Sequence, residues 1–190
     1  MPRRKGDPAV FLDRDSTIIE DMEYSTDPAR LAPLPGAVEA LKRLKEAGYR
    51  LVIVTNQSGV ARGIFSEESL RIFHRRMLDM FERQGVKFDG LYYCPHFTEG
   101  ASKEHVRECD CRKPAPGLLV RAARDLGLDL RRSWMVGDRP SDVGAGRAAG
   151  CRTIRVLTGQ PPQASDPEPD AIVADLPAAA RHIIECDHIP

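Results

Sequence analysis

Two carboxylates, Asp13 and Asp15, stand two residues apart just after a short apolar run, Ala9-Val10-Phe11-Leu12. So placed past a strand end, both can reach one site. One can attack phosphorus and form an aspartyl-phosphate, while the other protonates the leaving oxygen and then takes a proton from water. Surface loops are rich in aspartate, so the pair alone is a weak signal. Three further features add to it. Thr55, with Asn56, closes a second apolar run, Leu51-Val52-Ile53-Val54, and offers a hydroxyl and backbone N–H groups to phosphate oxygens. Lys113 offers a point charge with the Arg112 guanidinium beside it, although a solvated surface lysine is the ordinary alternative. Gly137-Asp138-Arg139-Pro140-Ser141-Asp142 follows a third run, Ser133-Trp134-Met135-Val136, and brings more carboxylate. Carboxylates from separate strand ends make a hard-oxygen site suited to Mg²⁺, which retains waters and binds a substrate phosphate. Asp142 reads equally well as a cap for the helix expected over 141–149.

A second group is sulfur-rich. Cys94-Pro95-His96 is followed twelve residues later by Cys109-Asp110-Cys111, a C-x-H-x12-C-x-C pattern. Cys94, His96, Cys109 and Cys111 form a closed Cys₃His set for structural Zn²⁺. The alternative is three buried thiols and a surface imidazole. Five cysteines are an odd number, and in a cytoplasmic chain the cluster argues for metal before disulfide. No ligand position is left open for water, so this zinc is expected to be structural. Arg112 and Lys113 follow Cys111 directly, so the metal would fix the loop, about 94–111, that delivers Lys113. Cys151 and Cys186 read as small apolar residues, and His74, His105, His182 and His188 as solvent-facing.

These residues need a frame. Short apolar runs at 9–12, 51–54, 90–93, 133–136, 153–156 and 171–173 alternate with helical patterns at 36–47, 66–84, 117–126, 141–149 and 177–185. Ser66 can cap the second helix, with Glu67 and Glu68 in its first turn. Strands alternating with helices imply an α/β parallel sheet covered on both faces, in which ligands bind beyond the carboxyl ends of the strands. The chain has 190 residues, no internal repeat and no linker, so one domain over 1–190 is expected. Lys plus Arg and Asp plus Glu are 28 each, a formal net charge of zero, which provides no field to gather nucleic acid. No apolar run approaches the roughly 20 residues of a membrane span. The expectation is a cytoplasmic monomer with no nucleic-acid or membrane partner.

The ordered set Asp13-x-Asp15-x-Thr17, Thr55-Asn56, Lys113 and Gly137-Asp138-x-x-x-Asp142 resembles the four motifs of the haloacid dehalogenase superfamily and spans nearly the whole chain. The resemblance implies a Rossmann-like fold and a Mg²⁺-dependent phosphatase. It implies Asp13 as nucleophile, Asp15 as acid/base and as metal ligand through its backbone carbonyl, and Asp138 as a further ligand. Thr55 and Lys113 would hold the phosphoryl oxygens. Ser16 stands where glycine is common; a small residue there should need modest adjustment, and more if the turn requires φ > 0. No insertion is long enough for a mobile cap domain.

Within the superfamily, Asp-Arg-Asp paired with Cys-Pro-His and Cys-Asp-Cys-Arg-Lys-Pro is similar to the heptose bisphosphate phosphatase branch, with histidinol-phosphate phosphatases beside it. The run Val54–Gly63 favours the former. The resemblance implies a phosphorylated sugar substrate in heptose and lipopolysaccharide synthesis. Asn56, Arg112 and Arg139 would bind it, with Glu20 and Tyr24 of the loop Ile19–Tyr24 against the sugar. Glu20, Asp21 and Glu23 keep an amine-bearing substrate open. DNA 3′-phosphatases share a similar Thr-Asn-Gln run, but zero net charge, 6% aromatic residues and the zinc set count against them. A non-catalytic zinc-stabilised binding module would leave Asp13, Asp15, Lys113 and Asp138 without a reason to converge.

Overall fold

The computed structural model describes residues 6–187. Strands β1 (Ala9–Leu12), β2 (Arg50–Asn56), β3 (Gly90–Cys94), β4 (Trp134–Gly137), β5 (Arg152–Val156) and β6 (Ala171–Val173) form one sheet in the order β3-β2-β1-β4-β5-β6. Every pairing is parallel. Helices α1 (Ala37–Glu46), α2 (Gly59–Arg62), α3 (Glu67–Arg83), α4 (Gly117–Leu126), α5 (Pro140–Ala149) and α6 (Leu176–Asp187) lie between and after the strands. The α/β expectation holds. Among the described residues, no helix is long and apolar enough to cross a membrane.

The central strands are apolar without a break because helices cover both faces. Val10 and Leu12 of β1 join a core with Leu41 of α1, Phe73 and Met77 of α3 and Ile183 of α6. Their neighbours Ala9 and Phe11 point the other way, to Leu118 and Leu119 of α4 and Ala145 of α5. Phe11 is fully buried, and truncating such a residue to Ala costs about 3–5 kcal/mol.

The α3 helix starts where expected: Ser66 Oγ accepts from the Ser69 N–H at 3.0 Å, with Glu67 and Glu68 in the first turn. Its buried stripe is Leu70, Phe73, His74, Met77 and Phe81. This corrects the expectation for His74, which is buried at helical spacing with its apolar neighbours and does not face solvent. The single-turn α2 was not expected from the pattern; Gly63, in the left-handed region at φ +74°, ends it.

Candidate active site and metal centre

Register places the chemistry. Leu12 pairs with Ile53 on one side and Val136 on the other, and the next N–H, from Asp13, donates to Val136 O at 2.9 Å. Asp13, Thr55 and Asp138 thus emerge from three adjacent strands at their carboxyl ends, all buried.

Lys113 joins them from a distant segment. Its Nζ lies 2.7 Å from Asp13 Oδ1, 2.7 Å from Val54 O and 2.6 Å from Asp142 Oδ1. Its ammonium is thus hydrogen-bonded to Asp13 and Val54 and ion-paired with Asp142. Burial opposes the charge, but the Asp13 and Asp142 carboxylates outweigh it and raise the Lys113 pKa. Asn56 fixes the Lys113 backbone: its Oδ1 accepts from Lys113 N at 3.0 Å and its Nδ2 donates to Lys113 O at 3.0 Å. The Asn56 amide expected on substrate is therefore occupied with the lysine's own peptide groups, although the residue does line the cleft.

Asp142 has both roles foreseen for that stretch. Its Oδ2 accepts from the Arg139 N–H at 3.0 Å, closing the first turn of α5, and its Oδ1 faces Lys113. Carboxylate oxygens of Asp13, Asp138 and Asp142 all lie within 4.8 Å of one another. Three carboxylates thus face one ammonium. Burial first, then Asp13 and Asp142, pushes Asp138 up to about 7, and its buried Oδ1 has no hydrogen-bond partner among the described residues. This hard, anion-rich set fits a divalent cation. The Asp15 carboxylate is not part of the set. It turns aside to Arg14 Nη2 at 2.8 Å and Gln57 Nε2 at 3.1 Å, which leaves its main-chain carbonyl for any ligand role.

Ser16 adopts φ +56°, so the costlier of the two expectations for this turn applies. The Thr158 hydroxyl donates to the Ser16 carbonyl. At Gly159 a Cβ would lie 2.0 Å from Asp138 Oδ2, so only glycine lets the loop after β5 come this close.

Asp13, Asp15, Thr55, Lys113 and Asp142 line a cleft of about 560 Å³ that also holds Arg62, Phe97 and Arg112. The Arg62 and Arg112 guanidinium carbons sit 4.3 and 4.7 Å from the Phe97 ring centroid, within cation–π range. Arg112 Nη1 donates to His96 O at 3.3 Å. Arg139 lines the cleft too, its Nε 3.8 Å from Asp138 Oδ2. In the first loop, Asp21, Glu23 and Tyr24 line the cleft. Glu20 does not: its N–H bonds to Ala32 O and its side chain is exposed. Glu23 and Tyr24 have φ +47° and +62°, an uncommon pair for residues with a Cβ.

Cys94, His96, Cys109 and Cys111 come together as expected, one donor atom from each within 4.8 Å of the others. The Sγ separations are 3.1, 3.2 and 3.5 Å, and His96 Nδ1 is 3.3 Å from Cys111 Sγ. Tetrahedral Zn–S bonds of roughly 2.3 Å require edges somewhat under 4 Å, so three thiols and an imidazole at this spacing fit zinc. The loop is tied to its surroundings. Ser102 N donates to Ala61 O of α2 at 3.0 Å. His105 Nε2 lies 3.2 Å from Glu67 Oε2 and Tyr93 OH donates to Glu67 Oε1 at 2.7 Å. His105 is therefore partly buried and bonded. His182 sits edge-on to Trp134, with ring centroids 5.7 Å apart, and His188 lies outside the described residues.

The fold and the strand-end carboxylates define a class, and comparison with known proteins agrees. Residues 110–179 match the HAD-hydrolase-like family model. The D-glycero-beta-D-manno-heptose-1,7-bisphosphate 7-phosphatase of Vibrio cholerae is 48% identical over 155 residues, 81% of this chain and 83% of that one. The Escherichia coli K12 protein of the same name is 41% identical, covering 93% and 95%. A crystal structure of D,D-heptose 1,7-bisphosphate phosphatase from B. bronchiseptica, complexed with magnesium and phosphate, superposes with a TM-score of 0.79 at 31% identity, covering 94% and 98%. The chain belongs to the HAD-like hydrolases and, within them, to the family of these heptose bisphosphate phosphatases. It is a phosphoric monoester hydrolase.

Sequence reasoning did not single out Arg62, Phe97 or Gln57 as site residues, and it placed Asp21 only among the acidic residues open to an amine. Arg62 carried one usable signal, a basic residue just before Gly63 at the end of a strand-end motif. Phe97 carried none beyond its place next to His96.

Proposed function

We propose that the protein is a Mg²⁺-dependent phosphatase that removes the 7-phosphate of D-glycero-β-D-manno-heptose 1,7-bisphosphate through an aspartyl-phosphate on Asp13. The buried Asp13–Lys113–Asp142 network beside Asp138, in one cleft with Arg62 and Arg112, carries the reading. The names of the relatives support the substrate.

In this reading Asp13 attacks phosphorus, the bond to the sugar oxygen breaks, and Asp15 gives that oxygen its proton. Asp15 then takes a proton from water, which attacks the phosphoryl group and releases phosphate and free Asp13. Lys113 and Thr55 hold the non-bridging oxygens. Asp13, Asp138 and the Asp15 carbonyl would hold Mg²⁺, which offsets charge between carboxylate and phosphate. Cys94, His96, Cys109 and Cys111 would hold Zn²⁺ and fix the loop preceding Lys113. Arg62 and Arg112, stacked on one ring, offer guanidinium forks to the second phosphate. That pair favours a bisphosphate over histidinol phosphate, whose amine finds only Asp21 and Glu23. One sheet carries the whole site, which supports a single-domain enzyme, read here as a monomer acting on a cytoplasmic metabolite.

The test is phosphate release with Mg²⁺ from the β- and α-heptose bisphosphates, histidinol phosphate and a 3′-phosphorylated oligonucleotide. The expected result is the highest kcat/KM on the β anomer. A preference for histidinol phosphate or the oligonucleotide overturns the substrate and leaves the chemistry standing.

A further inference from the structure

Arg14 stands between Asp13 and Asp15 in sequence, yet it is buried, 3% exposed, and its guanidinium lies 5.0 Å from the Phe73 ring centroid. Its Nη2 reaches both oxygens of Asp15, at 2.9 Å (Oδ1) and 2.8 Å (Oδ2), and its Nε reaches Oδ2 at 3.1 Å. The remaining terminal nitrogen, Nη1, is 3.1 Å from Nε2 of His74 on α3.

A guanidinium has donors only and keeps its charge in a protein. His74 Nε2 must therefore accept, so the ring is neutral with its proton on Nδ1. The ring packs among Phe73 and Tyr93, with centroids 6.3 and 5.3 Å away. Burial first, and the Arg14 charge second, push the His74 pKa down to about 3, in agreement with a neutral ring.

Neutrality has a consequence for Asp15. A carboxylate at position 74 would compete with Asp15 for the guanidinium. Imidazole satisfies one buried N–H and leaves the charge and the two-pronged face of Arg14 to Asp15. The Asp15 oxygens are then unequal. Oδ2 collects Nε, Nη2 and the Gln57 amide at 3.1 Å, while Oδ1 has Nη2 alone and keeps a lone pair free.

We propose that His74 is a positioning residue for the hydrolysis: a neutral acceptor that holds Arg14, which holds Asp15 with Oδ1 as the oxygen that carries the reacting proton. The inference rests on the reading of Asp15 as the acid/base.

The experiment compares kcat/KM for the heptose bisphosphate, whose alkoxide leaving group needs a proton, with kcat/KM for p-nitrophenyl phosphate, whose leaving group does not. H74L is expected to lose about 10- to 100-fold on the sugar phosphate, the scale of a misplaced catalytic group, and only a few-fold on the aryl ester. H74Q, which keeps a neutral acceptor, is expected to restore the ratio. Thermal melting of both variants identifies any loss due to unfolding. Equal losses on the two substrates, or none, in folded H74L overturn the inference. D15N in the same assay separates the two claims. If D15N shows no preference for the aryl ester, the acid assignment of Asp15 falls and the inference falls with it. If D15N shows that preference and H74L does not, the positioning role alone is wrong.

Discussion

The carboxylate site and the Cys/His loop both crowd ionisable groups to contact distance, and they do it by opposite routes. Asp13 and Lys113 are a hundred residues apart in sequence and meet only because β1, β2 and β4 are adjacent. The lysine offsets part of the carboxylate charge and is anchored by the Val54 carbonyl. Cys94 through Cys111 close over eighteen positions, with Arg107 on the His96 ring at 2.7 Å and Arg112 on its carbonyl at 3.3 Å. The first site is brought together by topology, and the second by a short loop whose donor set fits a metal. They join at Arg112 and Lys113, where the Cys/His loop hands a charge to the sheet.

The largest expected effect comes from breaking the topological site at its centre. Asp13→Asn should lower turnover by about 10³-fold or more, as for loss of a covalent nucleophile, and Lys113 keeps Asp142 as partner, so the thermal midpoint should hold. Near-normal phosphate release would overturn the nucleophile assignment. Next is the Cys/His site. Cys109→Ser should release zinc, lower the melting temperature and cut activity by about tenfold or more, the cost of a displaced Lys113. Zinc analysis of protein purified without chelator should give one ion per chain, and finding none would remove the Cys₃His assignment.

The junction between the two sites should respond in KM. Arg62→Ala and Arg112→Ala should each raise KM for the bisphosphate by about 10- to 100-fold, corresponding to a charge-assisted hydrogen bond of roughly 1.5–3 kcal/mol. Their kcat on a monophosphate ester should change little, and a kcat loss with constant KM would place both residues in the chemistry. His74 sharpens the comparison through pH. Its pKa is lowered in the fold, so the unfolded chain binds the extra proton. Stability from this group is complete above about pH 6.5 and declines toward pH 3, at up to about 1.4 kcal/mol per unit. Denaturant titrations of His74→Gln should show a shallower acid slope than the parent protein. The smallest effect is Ser16→Gly, which relieves a left-handed serine but loosens the unfolded chain; a net gain of about 0.5–1 kcal/mol is expected. A loss would show that the serine side chain contributes to the turn.

The residues differ in how visible they were in sequence. Asp13, Thr55, Asp138 and the helix starting after Ser66 follow from strand ends and capping, which are local rules. The Cys₃His set follows from ligand type and spacing. Arg62 and Phe97 escaped because cation–π stacking depends on how the loop 94–111 lies against α2, and no periodicity encodes that. His74 was misplaced for a different reason. Its position on the Leu70–Phe81 stripe marked it as buried, but burial of an imidazole needs an acceptor's partner, and Arg14 lies sixty residues away. Glu20 was chosen over Asp21 in a loop where no regular alternation assigns faces.

Parallel strands in the order β3-β2-β1-β4-β5-β6 also set a timetable. The Asp13 N–H is capped by Val136 O, and Lys113 needs Val54, so the site cannot exist until strands more than eighty residues apart in the chain have paired. Such non-local pairings are the slow part of folding, whereas the Cys/His loop closes locally. On refolding, metal binding by the cysteines should precede the return of phosphatase activity, with the catalytic centre the last part of the molecule to be made and the first to be lost when the sheet opens.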